Sequence, residues 1–152
     1  MPAPFTLAPD ASDDIEITQF RDAVSRFLDR HAPPEKQEIW REDGIVDRAL
    51  WKLAGDAGLL CPSLAEELGG PGGDFRHEAV VLEEMGRRGL EGFGVAVHSS
   101  IVAPYLAQFA GPAQRQRWLP RAVSGESILA IAMTEPGAGS DLRGMRTHAV
   151  RK

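Results

Sequence analysis

Apolar residues recur at helical spacing through most of the first 126 positions, and the texture changes after that point. Ile17, Phe20, Val24, Phe27 and Leu28 share one helical face. Asp13, followed by Glu16 three residues on, has the spacing of a capping box, and the basic, proline-terminated RHAPP ends the helix. A second helix is predicted from Asp47, a residue able to accept from the free amides of the first turn. Val46 and Trp51 stand at the positions of a hydrophobic staple, Leu50, Leu53, Ala54 and Ala57 form the buried stripe, and Gly58 closes the helix. LLCPSLAEELGGPGG then reads as an irregular connection, because its last five residues are all Gly or Pro.

Asp74 is expected to open a third helix with Phe75, Ala79, Leu82 and Met85 on its inner face. Residues 93 to 110 are apolar nearly all round, which predicts a helix at the centre of a bundle with a kink at Pro104. Pro112 suits the first position of a fifth helix, which Pro120 should bend or break. Beyond it, SILAIAM and GMRTHAV read as two strands. Five helices leading into two strands suggest a leader (1–12), an all-α domain (13–126) and the start of a β domain (127–152). Two strands alone do not make a stable sheet, so this last part is expected to be incomplete.

Composition narrows the class. With 43% hydrophobic and 26% charged residues the chain is of the soluble globular type. Its net charge of -5 argues against a nucleic-acid partner, and Arg115, Arg117 and Arg121 read as a solvated helix face. No apolar run approaches the roughly 18 residues a membrane span requires, and MPAPFTLAPDASDD lacks the features of a targeting peptide. One cysteine, Cys61, allows no internal disulfide and suits a reducing compartment, the cytoplasm, as a small buried residue.

Candidate chemistry concentrates in TEPGAGSD, residues 134 to 141. Gly137 and Gly139 permit close approach to a flat or phosphorylated ligand, and successive amides in such a turn make an anion-binding nest. On residues alone the same stretch reads first as a tight turn in which Ser140 and Asp141 bond their own backbone, and second as a ligand cradle. The absence of a following Lys-Ser or Lys-Thr removes a nucleotide P-loop from the earlier glycine-rich connection. His98 lies beside Ser99 and Ser100, but neighbouring helical residues do not face one another, so a satisfied interior histidine is expected. His31, His77 and His148 share no metal-ligand spacing, and Trp40, Trp51 and Trp118 read as packing residues.

The segment also resembles the first signature of the acyl-CoA dehydrogenase family, with Ala132, Met133, Thr134, Glu135, Ala138, Gly139, Ser140, Asp141 and Gly144 filling every defined position. KLAGDAGLL, EELGGPGGDF and HSSIVAPY extend the likeness over nearly all of the chain after the leader, and the wording of GGPGGDF, HSSIVAPY and IAMTEPGAGSDLRG is most similar to the long-chain branch. The resemblance implies a mainly α fold: the N-terminal helical domain of that family, then the first strands of a truncated, β-barrel-like middle domain. It implies FAD as cofactor, with Ile131, Ala132, Met133, Thr134, Gly139 and Ser140 against it. Thr134 would bond the pyrimidine end of the flavin ring, and Ser140 would also face the substrate's phosphopantetheine arm.

The implied reaction oxidises an acyl-CoA thioester to the trans-2-enoyl-CoA in fatty-acid β-oxidation or a related pathway. Electron-transfer flavoprotein would be the acceptor and a homotetramer the full assembly. The family's glutamate base and second flavin-contacting segment have no counterpart here, so no catalytic residue is expected in this chain and, alone, it should be inactive. Glu135 is expected to shape the turn. An acyl-CoA oxidase or flavin monooxygenase of the same superfamily, or a non-catalytic helical interaction module, are the alternative readings.

Overall fold

The computed structural model describes residues 14–90 and 92–150. The leader 1–12 and Asp13 lie outside the described residues. α1 (Ile15–His31) is capped instead by Asp14, whose carboxylate accepts from the Glu16 amide at 3.0 Å. Ile17, Val24 and Leu28 are buried, with Phe20 and Phe27 packed against the same core, as the periodicity predicts.

α2 (Pro34–Asp43) is a helix the hydrophobic pattern does not reveal, because Trp40 is its sole buried residue. Proline at its start and Gly44 at its end, in the left-handed region, were the legible signals. α3 (Arg48–Asp56) follows Asp47 as expected, but the Asp47 side chain makes no capping hydrogen bond. Val46 and Trp51 are both buried in the main core, while Leu53 and Ala57 face solvent and leave the stripe to Leu50, Trp51 and Ala54. Gly58, at φ 71°, ends α3: the Leu59 amide donates to the Ala54 carbonyl and the Gly58 amide to Gly55.

α4 (Phe75–Arg87) is capped reciprocally, with Asp74 accepting from the Arg76 amide and His77 Nδ1 accepting from the Asp74 amide. Its buried face is rotated from the expected one. Phe75 is 73% exposed, Ala79 and Leu82 are half-buried, and Glu84 turns inward beside Val80, Val81 and Met85. The rotation has an electrostatic cause. Glu84 accepts from Arg21 of α1 at 3.1 Å, from Arg87 at 2.6 Å and from Arg88 at 2.7 Å, and Arg88 reaches back to Asp29 and Ser25 of α1. Burial alone would raise the Glu84 carboxyl. The hydrogen bonds from Arg88 and Arg21 outweigh it and hold the group below the usual carboxylate value.

Residues 93–110 do not form one buried helix. A π-helical segment, Ala96–Val102, runs into α5 (Ala103–Phe109), and the Ala103 amide donates to the carbonyl of His98 five residues back. Proline cannot follow an ordinary α-helical turn without losing a hydrogen bond and meeting the preceding carbonyl, and the wider turn before Pro104 absorbs both. One face is buried through Val95, His98, Ser99 and Ala103, whereas Val97, Ile101, Tyr105 and Phe109 are exposed. α6 (Pro112–Val123) starts on Pro112 and runs through Pro120 without breaking. On its outer side Arg117 and Arg121 stack over Trp118.

The two strands expected at the end are not formed among the described residues. Residues 127–150 contain one isolated antiparallel bridge, Glu135 with Ala138, and a short 3₁₀ turn at Leu142–Gly144. A strand exists only where a neighbour takes its amides and carbonyls, and these segments find none. What anchors the first of them is His98, fully buried on the π-helical segment. Its Nε2 donates to the Ala122 carbonyl at 3.1 Å and its Nδ1 accepts from the Leu129 amide at 3.0 Å. A carbonyl only accepts and an amide only donates, so the ring is the neutral Nε2–H tautomer. Burial holds its pKa below the ordinary value.

Glu84→Gln should lower unfolding free energy by on the order of 2 kcal/mol in urea denaturation, since it removes the buried carboxylate charge that Arg21, Arg87 and Arg88 share. Glu38→Gln, which removes the exposed partner of Arg41, should change it by about 0.5 kcal/mol or less. For His98 the unfolded chain binds the proton that the folded chain resists. Stability should therefore fall as the pH drops below about 6.5 toward the depressed folded value. His98→Asn should flatten that part of the profile, and urea midpoints measured against pH read it directly.

Candidate functional site

The segment from Ile131 to Ser140 leaves the helical body immediately after its last anchor at Leu129. Ile131 is 38% and Met133 48% exposed, and Ala132, Thr134, Gly139 and Ser140 are exposed as well. Among the described residues no hydrogen bond engages the backbone amides of 131–134 or the hydroxyls of Thr134 and Ser140. Added side chains at Gly137 and Gly139 would meet open space, and neither glycine uses the left-handed region. The glycines keep the surface bare and do not set the turn.

The turn itself is set by Glu135. Its amide and carbonyl pair with Ala138 at 3.0 Å each, closing a two-residue turn over Pro136 and Gly137. Its carboxylate accepts from the amides of Arg146 at 2.6 Å and Thr147 at 2.9 Å and from the Thr147 hydroxyl. These bonds, that of the Thr147 side chain foremost, hold the carboxyl below its usual value. A group so engaged is an acceptor for backbone, with little capacity left to take a proton. The loop from 135 to 147 thereby frames an open concavity of about 710 Å³ lined by Glu135, Pro136, Gly137, Asp141 and Arg146.

Sequence reasoning missed a second cavity. About 360 Å³ lie between the 61–68 connection, α4 and α5, walled by Leu64, Leu68, Ala103 and Ala107 and edged by Cys61, Ser63, Glu78 and Ser99. Its polar groups are satisfied: Ser63 donates to the buried Glu78 carboxylate, and Ser99 Oγ accepts from the Cys61 amide at 2.9 Å. Burial pushes the Cys61 thiol up to about 12, so it is neither nucleophile nor ligand at neutral pH. The only hint in the sequence was the mixture of small and hydroxyl residues in HSSIVAPY; the connection that completes the wall is irregular and has no periodic signal.

The structure sets the remaining candidates apart from both cavities. His31 rests against Phe27, His77 caps α4, and His148 Nδ1 donates to the Arg146 carbonyl. Trp40 and Trp51 are core residues. Among the described residues no cluster of three or more His, Cys, Asp or Glu could hold a metal ion, and no helix is long and apolar enough to cross a membrane.

Comparison with known proteins places this geometry. Residues 14–126 match the family described as acyl-CoA dehydrogenase, N-terminal domain. The mitochondrial long-chain specific acyl-CoA dehydrogenase of Rattus norvegicus is 45% identical over 132 residues, which is 87% of this chain and 30% of that protein. The crystal structure of an acyl-CoA dehydrogenase from Geobacillus kaustophilus superposes with a TM-score of 0.80 at 43% identity, covering 86% of this chain and 34% of that one. A glutaryl-CoA dehydrogenase from Mycobacterium smegmatis, in complex with FADH2, superposes with a TM-score of 0.76 at 28% identity over 88% of this chain and 34% of its own. The chain thus spans about 30% of the length of the curated relative it matches. Its helices, their order and the TEPGAGSD segment that follows them all converge on one assignment: this chain belongs to the acyl-CoA dehydrogenase family and carries that family's N-terminal helical domain.

Proposed function

We propose that this chain is the N-terminal portion of an FAD-dependent acyl-CoA dehydrogenase that oxidises acyl-CoA to trans-2-enoyl-CoA in fatty-acid β-oxidation or a related pathway. The observation that carries the reading is the exposed backbone of 131–134, free of internal hydrogen bonds among the described residues and flanked by the apolar side chains of Ile131 and Met133. A planar ring with a polar edge needs such a surface: apolar contact on its face and unspent amides at its rim. Ile131, Ala132, Met133, Thr134, Gly139 and Ser140 would hold the cofactor, with the Thr134 hydroxyl donating to the polar edge of the ring. Ser140 would in addition face the phosphopantetheine arm of the thioester. FAD, when bound, supplies the hydride acceptor for the β-carbon of the substrate.

No residue of this chain is assigned to abstract the α-proton. Glu135 is committed to the backbone of 146 and 147, and Glu78 and Glu84 to Ser63 and to arginines. The base and the second flavin-contacting segment belong to the rest of the enzyme, and the chain alone is inactive on this reading. SILAIAM and GMRTHAV would become strands when the remainder of a middle β domain supplies their ladder partners. The exposed face of Val97, Ile101, Tyr105 and Phe109 supports the same view, since a helix side of this kind asks for cover. Electron-transfer flavoprotein is the proposed acceptor, a homotetramer the proposed assembly, and a buried Cys61 without a second cysteine supports a reducing compartment, the cytoplasm.

The direct test replaces the matching third of the Geobacillus kaustophilus enzyme with this chain. The chimera should purify yellow and bleach on addition of acyl-CoA, while the isolated 152-residue chain should be colourless; a folded, colourless chimera overturns the reading. In the same background Thr134→Val should weaken flavin binding by about 1 kcal/mol, roughly fivefold. Glu135→Gln should leave acyl-CoA bleaching within about tenfold of the parent, whereas removal of a true general base costs on the order of 10²-fold or more.

A further inference from the structure

Between α6 and the open segment the chain is fastened step by step. The Ser127 amide donates to the Arg121 carbonyl at 2.9 Å, Arg48 of α3 donates to the Glu126 carbonyl at 3.0 Å, and Gly125 lies so close to the backbone of Trp51 that a Cβ there would stand 2.2 Å from its carbonyl oxygen. The final tie is the Leu129 amide on His98 Nδ1. From there to Thr134 no backbone hydrogen bond holds the chain among the described residues. The Leu129 side chain packs on the cluster of Ala103, Leu119 and Ala122, and the last backbone hydrogen bond before the segment leaves the helical body is made to one ring nitrogen.

That nitrogen is itself fixed. His98 is fully buried, its other nitrogen is occupied by the Ala122 carbonyl at the C-terminal end of α6, and the edge of Trp51 stands against the ring at 5.2 Å between centroids. The π-helical turn brings His98 to this spot; in a regular helix the register of the residues before Pro104 would differ. Two bonds of opposite polarity admit one tautomer and one ring orientation.

We infer that His98 is a positioning residue for the flavin-facing segment: through Nδ1 it sets where residues 130 to 134 begin, and through Nε2 it locks that point to α6. The inference rests on the flavin reading above for its consequence, though the anchoring itself does not. Asparagine and glutamine separate the two bonds, because Asn Oδ1 occupies the place of Nδ1 and Gln Nε2 the place of the histidine Nε2.

Amide hydrogen exchange on the 152-residue chain should show His98→Asn keeping Leu129 protection within about threefold, while His98→Gln loses about tenfold or more. Amides in α1 and α4 should be little changed in either variant. Nitrogen-15 NMR of the unmodified chain should find the Nε2–H tautomer, a measurement that needs no variant to fold. In the flavin-loaded chimera, His98→Gln should weaken flavin binding about tenfold and His98→Asn should rescue most of it. Equal loss of Leu129 protection in both variants, collapse of α1 and α4 along with Leu129, or an Nδ1–H ring overturns the inference. If the unmodified chimera binds no flavin, the functional reading fails, and exchange at Leu129 still decides the role of His98.

Discussion

An imidazole buried to zero exposure must give both nitrogens a partner, and in this domain that requirement joins three pieces of chain that sequence keeps apart. His98 on the π-helical segment bonds the end of α6 and the residue at which the helical body gives way to the open segment. Trp51 of α3 closes the ring from the side, with Phe93 packed edge-on to the same indole at 4.6 Å. The helices form a scaffold by apolar contact, but apolar contact is non-directional. What gives the exposed segment a defined starting point is a pair of hydrogen bonds inside that scaffold.

Acidic side chains illustrate the same division of labour. Glu84, Glu78 and Glu135 are each engaged by donors from their own surroundings. Glu84 joins α1 to α4 through arginines, Glu78 takes the Ser63 hydroxyl at the edge of the inner cavity, and Glu135 gathers the amides of 146 and 147 so that the loop returns on itself. Among the described residues the domain offers apolar surface and backbone amides at 131–134 without internal partners. Those features suit the flat cofactor and thioester arm proposed above, and the relatives extend well beyond the length of this chain.

Much of the fold was legible because helices report themselves locally. The stripe in α1, the cap at Asp74, the stop at Gly58 and the start at Pro112 all follow from residues within one or two turns. Failures have equally local reasons. α2 is polar with one buried tryptophan and gives no periodic signal. The inner face of α4 was misassigned because periodicity counts Phe75 as core and Glu84 as surface, whereas the arginines of α1 and α4 reverse that order. Apolar character all round residues 93–110 suggested complete burial, yet Tyr105 and Phe109 lie open because no described element covers them.

By itself the sequence determined the helical character of the body, the place where it ends and the composition of the turn at 134–141, since caps, glycines, prolines and apolar spacing act within a few residues. It also carried the family likeness in that turn. Only the tertiary structure decided that His98 anchors Leu129, that Glu135 binds the backbone eleven and twelve residues on, and that the expected strands are unpaired among the described residues. Hydrogen bonds across such separations depend on how helices pack, and a strand depends on a neighbour, neither of which is written in any short stretch of chain.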